Sequence, residues 1–228
     1  MSRNGYARLA GFTFLFYIAT GITEMVLSGR VHHGENVAAI LANIVQHEQL
    51  ARLTNLFTLI NCVNALVLGL ALYALTRDVE PNLAMLALLF RAGEGILAAN
   101  AALQNARLIE FAKRTAGRAN ADIVGTSLLY GAGMLVGASL FAFGSTIFSY
   151  LFLRSRIIPV WLSWLGLIGS IIIAIALPLQ LAGLLHGLIT KLIWIPIALF
   201  EIILGVWLLV KGVRTREGSL RASSDSLR

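Results

Sequence analysis

Charge is what this sequence has least of. Asp, Glu, Lys and Arg make up 13% of its 228 residues, where an ordinary soluble domain carries about a quarter. Such a chain cannot clothe a globular surface in solvated side chains, and a soluble domain is excluded. A single cysteine, Cys62, excludes an intramolecular disulfide, and its place inside an apolar run makes it a small buried hydrophobe. Histidine is scarce too. His32, His33, His47 and His186 show neither HxxxH nor HExxH spacing, and all four fall in segments expected to be solvated, so no metal site is expected. A P-loop, a Gly-x-Ser-x-Gly elbow and a dinucleotide fingerprint are all missing, so no cofactor is expected and soluble-type chemistry has no support. No basic platform interleaved with aromatic residues appears, which removes nucleic acid from the partners.

Apolar residues are what the chain does have. They make 58% of it, the mean hydropathy is +0.81, and apolar runs recur from the N-terminus to Val210. At roughly 20 apolar residues per membrane-crossing helix, six spans are expected, at about 9–27, 53–76, 83–105, 127–152, 159–184 and 190–210. The runs are continuous, not alternating, which favours helices over a barrel. Arg3 and Arg8 precede the first run, "LAGFTFLFYIATGITEMVL", in the manner of a secretory signal. That run contains Glu24 and no small-residue cleavage site follows it, so it is expected to stay as a span. The fold class expected is therefore all-α: a polytopic helix bundle occupying residues 1–210 as one transmembrane domain, with 211–228 as a basic, disordered cytoplasmic tail.

An even number of spans puts both termini on one face. The short joins "TRDVEPN" and "RSRIIP" lie on that face, where Pro81 and Pro159 suit a loop or a first helical turn. The opposite face takes the long links 28–52 and 106–126 and the brief "LLHGLITK". In the first link, "NVAAILANIVQHEQLARL" sets Val37, Leu41, Ile44 and Val45 against Asn36, Asn43 and His47, the pattern of a short amphipathic helix. Ten Lys and Arg residues fall on the terminal face against seven opposite, which by the positive-inside rule points to cytoplasmic termini in a cell membrane. The net charge of +7 sits in the tail and loops and suits anionic lipid headgroups, so membrane lipids are the partners expected.

Against that apolar background, "LLFRAGEGILAAN" stands out. Counted from Leu83 at ~1.5 Å per residue, Arg91 lies ~12 Å and Glu94 ~16 Å into a ~30 Å hydrocarbon layer, too deep to snorkel. Three residues apart, the two share a helical face and can pair. Glu24 in the outer half of span one and Glu201 near the middle of span six, in "ALFEIILGVW", bring the count to three carboxylates against one guanidinium. A proton or a cation has to offset that excess. Asn61 and Asn64 share a face of span two at comparable depth and supply amide hydrogen bonds. These six residues, Arg91, Glu94, Glu201, Glu24, Asn61 and Asn64, are the candidate ligand site. In span four, Gly133 and Gly137 with Gly131 nearby predict close helix packing. Laying span three over span six sets Arg91 opposite Glu201, the arrangement of a three-plus-three inverted repeat, on only a couple of identities.

Four stretches, "ARLAGFTFLFYIATGITE", "FRAGEGILAAN", "YLFLRSRIIPVWLSWLGLIG" and "ALFEIILGVWLLVKG", resemble the bacterial membrane family called domain of unknown function 4386. The resemblance implies a small multi-helix protein of the bacterial cytoplasmic membrane, with Arg91, Glu94 and Glu201 at the family's polar intramembrane positions, and it implies no activity. Members often carry an acid in span two and a histidine near the start of span four. Here Asn61, Asn64 and Tyr130 occupy those neighbourhoods. Three functions stay open on sequence alone. The first is binding or translocation of a small solute or apolar ligand, proton-coupled through a carboxylate. The second is a membrane enzyme on a lipid or isoprenoid, with a carboxylic acid donating a proton in a dry pocket. The third is a structural or regulatory subunit.

Overall fold

A computed structural model of the chain describes residues 1–115 and 133–213. The elements in order are α1 (Arg3–Val31), α2 (Val37–Gln46), α3 (Glu48–Thr76), α4 (Pro81–Thr115), α5 (Gly133–Ser155), α6 (Val160–Leu181), α7 (Ile189–Leu192) and α8 (Trp194–Val210). Local chemistry explains several boundaries. Ser2 Oγ accepts from Gly5 N at 3.1 Å and starts α1, Asn36 Oδ1 accepts from Ala39 N at 2.8 Å and starts α2, and Pro81 and Pro159 stand at the heads of α4 and α6. Gly183, at φ +73°, ends α6 as Leu184 N donates to Leu179 O and Gly183 N to Gln180 O, a Schellman stop that a side chain at that φ would strain.

Among the described residues six helices are long and apolar enough to cross a membrane, α7 and α8 together forming the sixth, Ile189–Val210. Large apolar side chains such as Leu70, Ile96, Ile175 and Leu199 point outward and are exposed, the inverse of a soluble bundle. Hydrocarbon, not water, suits that surface. The protein is a multi-pass membrane protein, and the short apolar helix of the first long link is present as α2. The start of span four as predicted, from 127 to 132, lies outside the described residues, and with it Tyr130 and Gly131, as does the basic tail from 214 onward.

Each span packs on its neighbours in sequence, and α8 returns to pack on α1, so the six form a closed ring in chain order, with α3 and α5 also touching. Glycine sets the closest approaches. A Cβ on Gly11 would lie 2.5 Å from Leu209 N, which lets α1 and α8 close the ring. One on Gly169 would lie 3.1 Å from Ile197 N between α6 and α8. Span four does not pack tightly where the small-residue spacing predicts. Among the described residues, a Cβ on Gly133 would meet nothing within 4 Å, and one on Gly137 would make only ordinary contact with Leu97 at 3.7 Å. Its close glycine is Gly144, about two turns further on, where a Cβ would lie 3.2 Å from Ala87 O of α4.

The long links are less loop-like than expected. α4 runs 35 residues, ~52 Å of helix against a ~30 Å hydrocarbon layer, so much of the link after residue 105 is helix. Its far end packs Leu108, Ile109 and Ala112 against Ile40, Leu41 and Ile44 of α2, forming a second small core with Val31 and Ala51. The stretch expected as one amphipathic helix is broken at His47, and α3 begins at Glu48. Asn43, on the polar side of α2, donates from Nδ2 to Arg30 O and Val31 O, both at 2.8 Å, and so caps the end of α1. On the same face Glu48 accepts from Arg52 and Lys113, and Arg52 also pairs with Glu110 at 3.0 Å. At the other face Asn4 Oδ1 accepts from Val213 N at 3.4 Å, so the two ends of the described chain meet on one side.

Candidate functional site

Arg91 is the largest charged group sealed inside the ring, 2% exposed. Its helix, α4, lies between α3 and α5, and a glycine on each neighbour makes room for the side chain. A Cβ on Gly69 would stand 2.9 Å from Arg91 Cβ, and one on Gly144 would stand 3.5 Å from Arg91 Cδ. The stem is thus held by two helices that carry no side chain at the point of contact. Its head meets Glu94, one turn along α4, with Nη1 2.8 Å from Oε2. The pair predicted from the three-residue spacing is therefore formed. Tyr17 of α1 reaches across to donate from its hydroxyl to Glu94 Oε1 at 3.0 Å. The Arg91 guanidinium carbon also lies 5.1 Å from the centroid of the Phe141 ring and 5.8 Å from that of Tyr17, close enough for cation–π attraction.

Hydrogen bonding in this centre is incomplete. Arg91 Nε and Nη2 are buried without a hydrogen-bond partner, and so is Glu94 Oε2, whose 2.8 Å approach to Nη1 lacks hydrogen-bond alignment. Glu201, half-buried on α8, lies within electrostatic reach of both Arg91 and Glu94. It makes no hydrogen bond and no ion pair with any described residue. A guanidinium clamping two glutamates is therefore not what the structure contains: Arg91 holds one.

Glu24, Asn61 and Asn64 do not join this centre. Glu24 sits on the side of α1 facing α3, where Thr58 donates from Oγ1 to its Oε1 at 2.6 Å and Asn61 donates from Nδ2 to its Oε2 at 2.7 Å. Asn61 Oδ1 in turn accepts from the Thr20 hydroxyl. Both carboxylate oxygens are thus satisfied by neutral donors, and no basic side chain among the described residues pairs with Glu24. Asn64, one turn further along α3, donates from Nδ2 to Thr13 O at 2.8 Å and ties α3 to the α1 backbone. The six candidates fall into one charged centre, one neutral network and one interhelical strap.

Tyr17, Phe141, Thr20 and Thr58 complete these sites and are absent from the sequence-level candidates. A signal for three of them exists. Tyr17, Thr20 and Glu24 recur at steps of three and four along α1, as Thr54, Thr58 and Asn61 do along α3, so each helix carries a polar stripe of helical period. Phe141 gives no such signal, since an aromatic residue in an apolar run is ordinary packing until the fold sets it beside Arg91.

Two hollows are described, and neither is lined by Arg91, Glu94 or Glu201. One, of about 10 Å³, lies beneath α2 between His32 and Asn105. The other is an open groove of about 320 Å³ on the outward side of α1 and α3, lined by Phe16, Leu59, Ile60, Val63, Asn64 and Val67. Arg91 and Glu94 are themselves buried, 2% and 7% exposed.

A family model described as Domain of unknown function (DUF4386) matches residues 9–212, which takes in every described span and both polar clusters. No curated protein and no solved structure gives a significant match.

Proposed function

The chain belongs to the DUF4386 family, and from the geometry of its interior we propose that it binds a small solute at the centre formed by Tyr17, Arg91 and Glu94, with Glu201 beside it, as a step in moving that solute across the membrane. The observation that carries this is convergence: α1 and α4, far apart in sequence, bring Tyr17, Arg91 and Glu94 together inside the ring, and Glu201 of α8 adds an acid within their electrostatic reach. Charged groups inside hydrocarbon are costly, and a bundle needing only glue can be held by small residues and neutral amides, as it is at Gly11, Gly169 and Asn64. The ring supplies the rest of what a carrier needs, an interior walled by helices from both halves of the chain.

Native mass spectrometry of protein released from a mild detergent tests this. Wild type is expected to retain a small molecule of constant mass, and Tyr17→Phe, which removes one hydroxyl and keeps the ring, is expected to retain markedly less. A wild type that always appears at its bare polypeptide mass would leave the centre as scaffold.

Both termini are assigned to the cytoplasmic side of a cell membrane, on the strength of ten basic residues against seven. With Cys62 replaced by alanine, His33→Cys is expected to react with an impermeant maleimide on intact cells and Asp78→Cys to react only after lysis. The reverse pattern would invert the protein.

A further inference from the structure

The edge of Arg91 left without partners identifies the kind of solute. Of the three guanidinium nitrogens, Nη1 faces Glu94 Oε2 at 2.8 Å, while Nε and Nη2 are buried with no hydrogen-bond partner. Those two lie along one edge of the planar guanidinium, where Nε–H and one Nη2–H run parallel at the spacing of two oxygens on a single carboxylate or phosphate. The faces of Phe141 and Tyr17 attract the positive charge but accept no in-plane N–H bond. Nor does any described residue supply the missing acceptor. Glu94 is engaged by Nη1 and by the Tyr17 hydroxyl, and Glu201 forms no ion pair with Arg91.

Resting on the reading of this centre as a solute site, we infer that the solute is an oxyanion, a carboxylate in the first place, gripped by the Nε/Nη2 edge of Arg91. A neutral amide of the same shape offers one acceptor and one donor to that edge, so one of its two contacts sets N–H against N–H. A carboxylate offers two acceptors. The edge is sealed from water in this structure, so the anion reaches it when the ring opens.

The test compares two probes of the same shape, 4-fluorobenzoate and 4-fluorobenzamide, which differ in charge and in one acceptor replaced by a donor, titrated by fluorine NMR onto the full chain in detergent. Saturable benzoate binding about tenfold or more tighter than that of the amide is expected. Arg91→Lys keeps the positive charge beside Glu94 and loses the planar edge, and it is expected to abolish that preference. Should that variant fail to fold, the comparison on wild type decides alone. Displacement of benzoate by octanoate only would indicate an amphiphilic acid drawn from the membrane, and displacement by inorganic phosphate a free anion; both support an oxyanion. Equal binding of the two probes overturns the oxyanion while leaving solute binding intact. Absence of binding by either also overturns it, and if wild type carries no copurified molecule the proposed function falls with it.

Discussion

Glu94 is met by a guanidinium and a phenol, whereas Glu24 is met by a threonine hydroxyl and an asparagine amide. Glu24 is the better hydrogen-bonded of the two: both its oxygens accept, at 2.6 and 2.7 Å, from donors on the helix next to its own. Glu94 has the charge of Arg91 beside it, yet one of its oxygens and two nitrogens of its partner make no hydrogen bond. Glu24 is thus accommodated by neutral donors alone, without a cation among the described residues. The Arg91–Glu94 pair is then more than a way of hiding an acid, and its unused donors and acceptor are what set it apart as a site.

The largest effect that sharpens this contrast comes from dividing the ion pair. Arg91→Met leaves Glu94 without its cation, and Glu94→Gln leaves a buried guanidinium without its anion. Each is expected to destabilise the protein by about 3–5 kcal/mol, as for other buried pairs losing one partner. The double substitution should recover a clear part of the loss, read by thermal unfolding in detergent and by the yield of monodisperse protein. Simple addition of the two effects would show that Arg91 is compensated from elsewhere, with Glu201 the nearest acid.

A smaller effect is expected in the neutral network. Glu24→Ala strips the acceptor from Thr58 and Asn61 and should cost about 1–3 kcal/mol. Glu24→Gln should cost about 1 kcal/mol or less, because one amide oxygen still accepts and the Asn61 amide can turn to suit the other end. Unfolding midpoints of the two variants decide the matter. If Glu24→Gln proves as damaging as Glu94→Gln, Glu24 is held by charge after all and the two sites are not different in kind.

Much of this was open to reading along the chain. The six spans follow from run length, because a bilayer demands continuous apolar helices of fixed reach. α2 follows from the alternation of Val37, Leu41 and Ile44 with Asn36 and Asn43, and the Arg91–Glu94 pair follows from helical geometry within one element. What was misjudged depended on other helices. Gly133 and Gly137 have the spacing of a packing motif, but whether a glycine is close to anything depends on which way its helix is turned. In α5 it is Gly144 that faces α4. Asn61 and Asn64 have similar depth and a shared face, yet one serves a carboxylate and the other a backbone carbonyl, because α1 presents Glu24 to the first and the Thr13 turn to the second.

Run lengths and composition alone are enough to give six apolar spans, ends that share a side, and one arginine set among apolar helices. Those properties follow from composition and from periodicities of a few residues, which act within single helices and need no knowledge of neighbours. Which acid Arg91 keeps, the approach of Tyr17 and Phe141 to it, and the separate network of Glu24 come from the packing of the helices. These depend on the closing of a ring between α1 and α8, nearly 200 residues apart in sequence, through Gly11 and Gly205. Side chains on different helices come within hydrogen-bonding distance only after that rotation and approach are fixed, and apolar periodicity in lipid leaves the rotation of each helix free until its neighbours are in place.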